Sequence, residues 1–519
     1  MNESNQQRAH RVALGSLISF AGNIINIFGR VFLVPLFLKS WGTERYGEWL
    51  TLFAAVGYMS MLDLGIQNYV INKLNQCYST GRSREYGYVL RSALKVSVIS
   101  CSLIILLIAV ILPLLPLGKW FHFTQTGHSL VVLVTCLLAV QIVARIPSGI
   151  ITGLYRTMGE FHRGAILVNI KVIMVFLITG AALISGGGFA ILALLQLVPI
   201  LVITLYVFRD MRRRHPEIKL GFKGGSMKKG FSFLLPASPF FLIRISTLTV
   251  FSGSTMIVAT QLGPAVVAVF STLRTLAHVT KQIPQAINIA LWPELTSLEA
   301  RKEYRTLRKI QLFMVKIGFS ISVCLAMFIH FCGKDIVNLW TRGRIPYDSG
   351  LMNIFLIYLA LQLIWTLSGT FQAAFNLPAL GSFCSIASTV LGLFLAYFLT
   401  RSYGAAGTVG GLFIAELFIC GIIIPARTCR ILGESLFKFF REVFFRALPG
   451  VAFLYLFGHR FRQLLSPLDP IYVIIIFGTV IMTTGLALSY FLYLNRDERK
   501  RLFSLLRGLI HSIGKRLKS

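Results

Sequence analysis

The chain has 519 residues, 55% of them hydrophobic and 13% charged, with a mean hydropathy of +0.73. Soluble domains carry about a quarter charged residues, so these values exclude an ordinary soluble protein and predict an all-α polytopic membrane protein. The 51 Lys and Arg against 19 Asp and Glu leave a net charge of +32. In a soluble chain that excess would point to nucleic acid, whereas in a membrane chain its meaning depends on where the charges fall.

Apolar runs long enough to cross about 30 Å of hydrocarbon predict fourteen spans, near residues 14–38, 47–71, 91–115, 128–150, 165–184, 187–208, 232–256, 265–289, 311–332, 351–374, 381–400, 406–426, 446–459 and 471–494. The first is preceded by a polar, mildly basic start and followed by no small-residue cleavage site, so it reads as an uncleaved helix. The thirteenth is short and pinched by Arg441, Arg446, Arg460 and Arg462, so twelve or thirteen spans remain open. With the N-terminus inside, the inner segments hold 36 of the Lys and Arg and the outer segments nine. Positive residues are retained on the cytoplasmic side, so this asymmetry predicts cytoplasmic N- and C-termini and reads most of the +32 as a topogenic signal facing anionic headgroups. It gives no reason to expect nucleic acid as a partner. Cys101, Cys136, Cys324, Cys384 and Cys420 fall inside apolar runs without metal spacing, and are expected to be packing residues.

Six spans return the chain to its starting side, which predicts a six-helix lobe over 1–208, a basic cytoplasmic linker without a helix over 209–230, a second six-helix lobe over 231–430, and two extra helices with a basic tail over 431–519. Trp41-Gly42 with Tyr46-Gly47 and Trp49, and Leu262-Gly263 with Val267-Ala268 and Phe270, share one spacing and fit a parallel repeat. In the tail, Leu502, Leu506, Leu509, Ile513 and Leu517 fall on one helical face, predicting an amphipathic helix on the cytoplasmic leaflet. The outer segments are short, the longest near 333–350, and no HExxH, GxSxG, Walker A or EF-hand pattern occurs. A transporter is therefore expected rather than an enzyme.

Ionisable groups at membrane depth are costly and usually face a cavity or a partner. Six cations fall within spans: Arg30, Lys171, Arg244, Arg274, Lys281 and Lys316. Lys316 lies near the cytoplasmic end and is expected to snorkel; Lys171 can snorkel or line a cavity. Arg30 ends a polar stripe of Ser16, Ser19, Asn23 and Asn26 on one helix face, which is either a hydrogen-bonding seam or a cavity wall. Ser271, Arg274, His278 and Lys281 repeat the pattern in span eight, where like charges at this spacing repel unless an anion sits against them. Arg244 in span seven can complete that cluster or pair with an acid.

Acids at depth are few. Asp63 shares a stripe with Ser60 and Gln67 and is expected to pair with Arg30 or to carry a coupling proton or sodium ion, while Glu416 stands among apolar neighbours with its state open. A net-positive cavity between two helical halves implies an amphiphilic anion, such as a lipid-linked phosphate bearing sugars, because guanidinium forks match phosphate.

The segments Trp41-Gly42-Thr43-Glu44-Arg45-Tyr46-Gly47-Glu48-Trp49-Leu50 and Met61-Leu62-Asp63-Leu64-Gly65-Ile66, with Leu262-Gly263 and Phe270 to Arg274 later, resemble the signature of polysaccharide-transport proteins. These belong to the multidrug/oligosaccharidyl-lipid/polysaccharide (MOP) exporter superfamily and include O-antigen flippases. The resemblance implies a V-shaped pair of six-helix lobes with two additional helices. It also implies alternating access that moves undecaprenyl-pyrophosphate-linked oligosaccharide across a bacterial inner membrane, important cavity arginines, no cofactor beyond a driving proton or sodium gradient, and polysaccharide polymerase and chain-length proteins as partners. A lipid II flippase and a multidrug extruder of the same superfamily are the alternative readings.

Overall fold

The computed structural model describes residues 5–59, 66–79, 81–158, 160–216, 218, 221, 223–375, 377, 379–495 and 498–499. Asp63 and the predicted amphipathic tail helix lie outside them. The described chain is helical, and it divides into one unit of residues 1–272 with 393–408 and a second of 273–392 with 409–519.

The first unit runs through α1 (Asn5–Gly57), α2 (Ile66–Ser79), α3 (Ser83–Ile111), α4 (Leu117–Trp120), α5 (His128–Thr157), α6 (Phe161–Ile184), α7 (Phe189–Leu195), α8 (Val198–Arg214), α9 (Met227–Phe231), α10 (Leu234–Leu262) and the start of α11 (Pro264–Ala277). The second unit holds the end of α11, α12 (Val279–Ala300), α13 (Tyr304–Thr341), α14 (Ser349–Ala374), most of α15 (Ala379–Leu432), α16 (Leu436–Phe440), α17 (Leu448–Leu464) and α18 (Pro470–Leu488). Two π-helical stretches, Arg441–Phe445 and Ser489–Tyr493, flank the α17 and α18 pair.

Among the described residues, nine helices are long and apolar enough to cross a membrane, so the chain is a multi-pass membrane protein. The 54-residue α15 bends at Gly404, and thereby holds two of the predicted spans, 381–400 and 406–426. The predicted thirteenth span is α17, whose 17 residues reach only about 25 Å at 1.5 Å per residue. It is not among the nine. Predicted span two lies partly outside the described residues: α1 ends at Gly57 and α2 begins at Ile66.

The Trp41 to Trp49 motif builds a corner in the first unit. Gly42 carries φ 74° and ψ 178° inside α1, left-handed backbone that a side chain would strain. Gly263, its predicted counterpart, takes φ 82° and ψ 170° between α10 and α11, so the two turns share one backbone shape. Trp41 packs at a tilt against Phe189 at 4.6 Å and Phe37 stacks on Tyr46 at 5.0 Å, while the Trp41 indole donates to the Gly187 carbonyl at 3.0 Å. A Cβ on Gly47 would overlap the Pro264 carbonyl oxygen. Glu48 is fully buried and accepts from the backbone N–H groups of Thr124 and Gln125 at 2.9 Å and from the Thr126 hydroxyl. The motif thus positions a corner by packing.

Residues 209–230, expected to lack helix, instead hold the end of α8 and the short α9. The stretch docks on α3: Ser226 N–H donates to Ser92 Oγ at 3.0 Å, and a Cβ on Gly225 would meet the Arg91 backbone at 2.6 Å. Hydrophobicity alone missed this helix because its partner surface lies more than a hundred residues away in sequence. All eight cysteines are free thiols and seven are buried, as expected for packing residues.

Candidate functional site

In the first unit, Asn23, Asn26, Arg30 and Arg244 lie on α1 and α10; the described side chains do not include theirs. Gly22 meets Asn169, Gly29 meets Phe176 and Leu36 meets Gly180, so this row of α1 packs on α6. Lys171 on α6 is half-buried, and Arg145 on α5 is close enough to oppose its charge. Arg145 falls inside the predicted span 128–150, near enough to its end to count with the inner segment.

In the second unit, predicted span eight is not one helix. It breaks at His278, whose N–H donates to the Arg274 carbonyl at 3.0 Å and whose carbonyl accepts from the Lys281 N–H at 3.3 Å. Arg274 therefore sits in the last turn of α11, 8% exposed, His278 at the junction, and Lys281 in the first turn of α12. The boundary between α11 and α12 thus falls inside the Ser271 to Lys281 stripe.

Glu416, expected to stand among apolar neighbours, is tied into the same region. Its Oε2 accepts from the Gln362 side-chain amide at 2.9 Å and from the Trp365 indole at 3.2 Å. The Gln362 amide also approaches the Tyr358 hydroxyl at 3.2 Å, and its Oε1 accepts from Lys281 Nζ at 3.0 Å. One amide therefore stands between an ammonium on α12 and a carboxylate on α15, held by α14. Donors converging on Glu416 and an ammonium donating to a carbonyl-type oxygen are the pattern of a charge-separated pair.

Gln362, Trp365 and Tyr358 were not singled out from the sequence, although Gln362 is the one strongly polar side chain in the run Leu356 to Trp365. An amide within an apolar helix is costly without a partner, and that was the available signal. A second tie follows toward the C-terminal end of α12, where Asn288 Nδ2 donates to Thr370 Oγ1 of α14 at 2.6 Å.

Lys316, expected to snorkel, does not. It is fully buried on α13, 3.2 Å from both Glu442 and Glu498, with the Tyr493 ring beside it. Snorkelling needs a free path to water, and the π-helical stretches around Glu442 and Tyr493 close that path. Arg446 reaches Glu442 at 3.0 Å, so two cations meet two carboxylates. Burial raises the Glu442 carboxyl's proton affinity, but the Lys316 and Arg446 contacts outweigh it and hold the group below the ordinary carboxylate range.

No protein-family model matches the chain. A curated Salmonella typhimurium (strain LT2) protein named "Putative O-antigen transporter" is 22% identical over 416 residues, covering 78% of this chain and 93% of that protein. Two solved structures are similar in fold. An inward-facing multidrug resistance MATE family transporter of the MOP superfamily gives a TM-score of 0.67 at 14% identity, covering 83% of this chain and 99% of its own. The lipid II flippase MurJ in an inward closed conformation gives 0.65 at 13%, covering 92% and 99%.

Proposed function

We propose, from the premise that this chain has the fold of the MOP exporter superfamily, that it is a flippase. Its cargo is undecaprenyl-pyrophosphate-linked oligosaccharide, an O-antigen or related surface polysaccharide unit. The cargo moves from the cytoplasmic to the outer leaflet of a bacterial inner membrane by alternating access, with both termini cytoplasmic and a polymerase and chain-length proteins acting on the product. The observation that carries this reading is the state of Lys281. Its ammonium donates to a neutral amide rather than to a carboxylate, so it keeps donor capacity for an anion. Arg274, one junction away and buried, adds a fork suited to phosphate.

The Salmonella relative's name supports a glycan cargo. The lipid II flippase reading shares this chemistry, since its cargo is also a lipid-linked pyrophosphate, and it differs in the sugar. A cationic drug would need an accessible carboxylate, whereas Glu416 is occupied by the Gln362 and Trp365 donors.

The test is complementation of a strain lacking its own oligosaccharide flippase. Restored surface glycan is expected from the wild type, and loss of rescue at equal abundance is expected from Arg274→Glu and from Lys281→Glu. Charge reversals that export glycan as well as the wild type would overturn the assignment. Lipid-linked intermediates accumulating on the cytoplasmic leaflet of a knockout in the native host would identify the sugar.

A further inference from the structure

We infer that Gln362 is an exchangeable tie, and that an anionic group arriving at Lys281 displaces it and frees the first turn of α12. The inference rests on the anionic-cargo reading above and adds a moving part to it. The bond from Lys281 Nζ to Gln362 Oε1 joins an ammonium to a neutral acceptor at 3.0 Å. A phosphate oxygen is the stronger acceptor for that ammonium, because charge-assisted hydrogen bonds are about twice as strong as bonds to neutral partners. Gln362 can yield this bond and stay in place, since its amide N–H groups keep Glu416 and Tyr358.

Three features make the first turn of α12 able to move once released. The chain breaks at His278 immediately before it. Pro284 lies three residues beyond Lys281 and leaves the Thr280 carbonyl without its helical N–H partner, a weak point where helices kink. Further along, α12 stays pinned to α14 through Asn288 and Thr370, a neutral pair for which an anion does not compete. Residues 279–284 thus run from a helix boundary to a proline, with Thr280 and Pro284 packed in place, and the bond from Lys281 to Gln362 is the contact in this segment that an anion can take over. Among the described residues, Lys281 from α12, Tyr358 from α14, and Glu416 and Cys420 from α15 are titratable or charged groups facing this tie. Only Lys281 among them is a cation.

The experiment uses the full-length protein in nanodiscs with farnesyl pyrophosphate as the probe, reading binding together with hydrogen–deuterium exchange of peptides covering 278–285. In the wild type, probe binding is expected to raise exchange in this segment and leave 288–300 unchanged. Gln362→Leu should exchange rapidly there without probe, and should bind the probe about fivefold more tightly because one competing hydrogen bond is gone. Gln362→Glu, which gives Lys281 a charged partner, should weaken probe binding more than about tenfold. Opposite directions for two substitutions at one position separate this role from a general loss of packing. Probe binding with no change in 278–285, or the same affinity shift in both variants, overturns the inference and leaves the cargo reading standing. No probe binding by the wild type overturns the anionic-cargo reading, and the inference with it.

Discussion

Two lysines at membrane depth, Lys316 on α13 and Lys281 on α12, have opposite surroundings. Lys316 is fully enclosed and meets two carboxylates at 3.2 Å. Lys281 meets the Gln362 amide, with the Glu416 carboxylate one side chain further on. Burying an ammonium is costly, and direct carboxylate contact in good geometry offsets that cost while using up the donor capacity. A cation that must bind something else is therefore better held by a neutral group, which fixes its position and leaves its charge unspent. The difference between the two lysines is one of binding capacity, and it separates a structural cation from one suited to a ligand.

Substitution should split the pair most sharply. Lys316→Met leaves Glu498 without its cation and Glu442 with Arg446 alone, and is expected to destabilise the protein by about 3–5 kcal/mol, read as a fall in melting temperature in detergent and in membrane abundance. Lys281→Met leaves Glu416 with its Gln362 and Trp365 donors, and should cost only about 1 kcal/mol in stability while removing glycan export. Equal stability losses would erase the comparison.

A packing control comes next. Gly47→Ala drives a methyl into the Pro264 carbonyl and should cost about 1–3 kcal/mol with no effect on probe affinity, measured by thermal unfolding alongside binding.

Acid titration sharpens the Lys316 side. Glu442 is held below its ordinary value of 4.5 in the folded protein, so its contribution to stability is complete above about that pH and is lost as pH falls through the lower folded value. Melting temperature should therefore drop on acidification below about 4.5. In Glu442→Gln this part of the acid slope should disappear.

The smallest effect is expected from Trp365→Phe, which removes one hydrogen bond to Glu416 and should cost about 1 kcal/mol or less. A much larger loss would mean that the indole, rather than Gln362, holds the carboxylate.

The sequence made the helical architecture legible because a 20-residue apolar run has few alternatives in lipid. It also made the paired turns at Gly42 and Gly263 legible, because a shared spacing of small and aromatic residues leaves a trace. Lys281 and Glu416 stood out as ionisable residues in apolar surroundings. Their connection did not, since it passes through a third helix, with Gln362 lying 81 residues from Lys281 and 54 from Glu416. Periodicity describes one helix at a time and cannot show which faces meet. For the same reason Lys316 was read from its distance to a helix end, when the deciding facts were partners 126 and 182 residues downstream.

Those separations have a consequence for biogenesis. At a translation rate of about 5–20 residues per second, the 182 residues between Lys316 and Glu498 take roughly 10–40 s to emerge. Until Glu442 emerges, 126 residues after Lys316, α13 carries a cation with neither counter-charge synthesised, and from then until Glu498 it has one of the two. The last helical pair therefore acts as a completion mark: a nascent chain that stops before Glu442 exposes an unmatched ammonium to the insertion and quality-control machinery, and one that stops before Glu498 leaves it with one carboxylate of two.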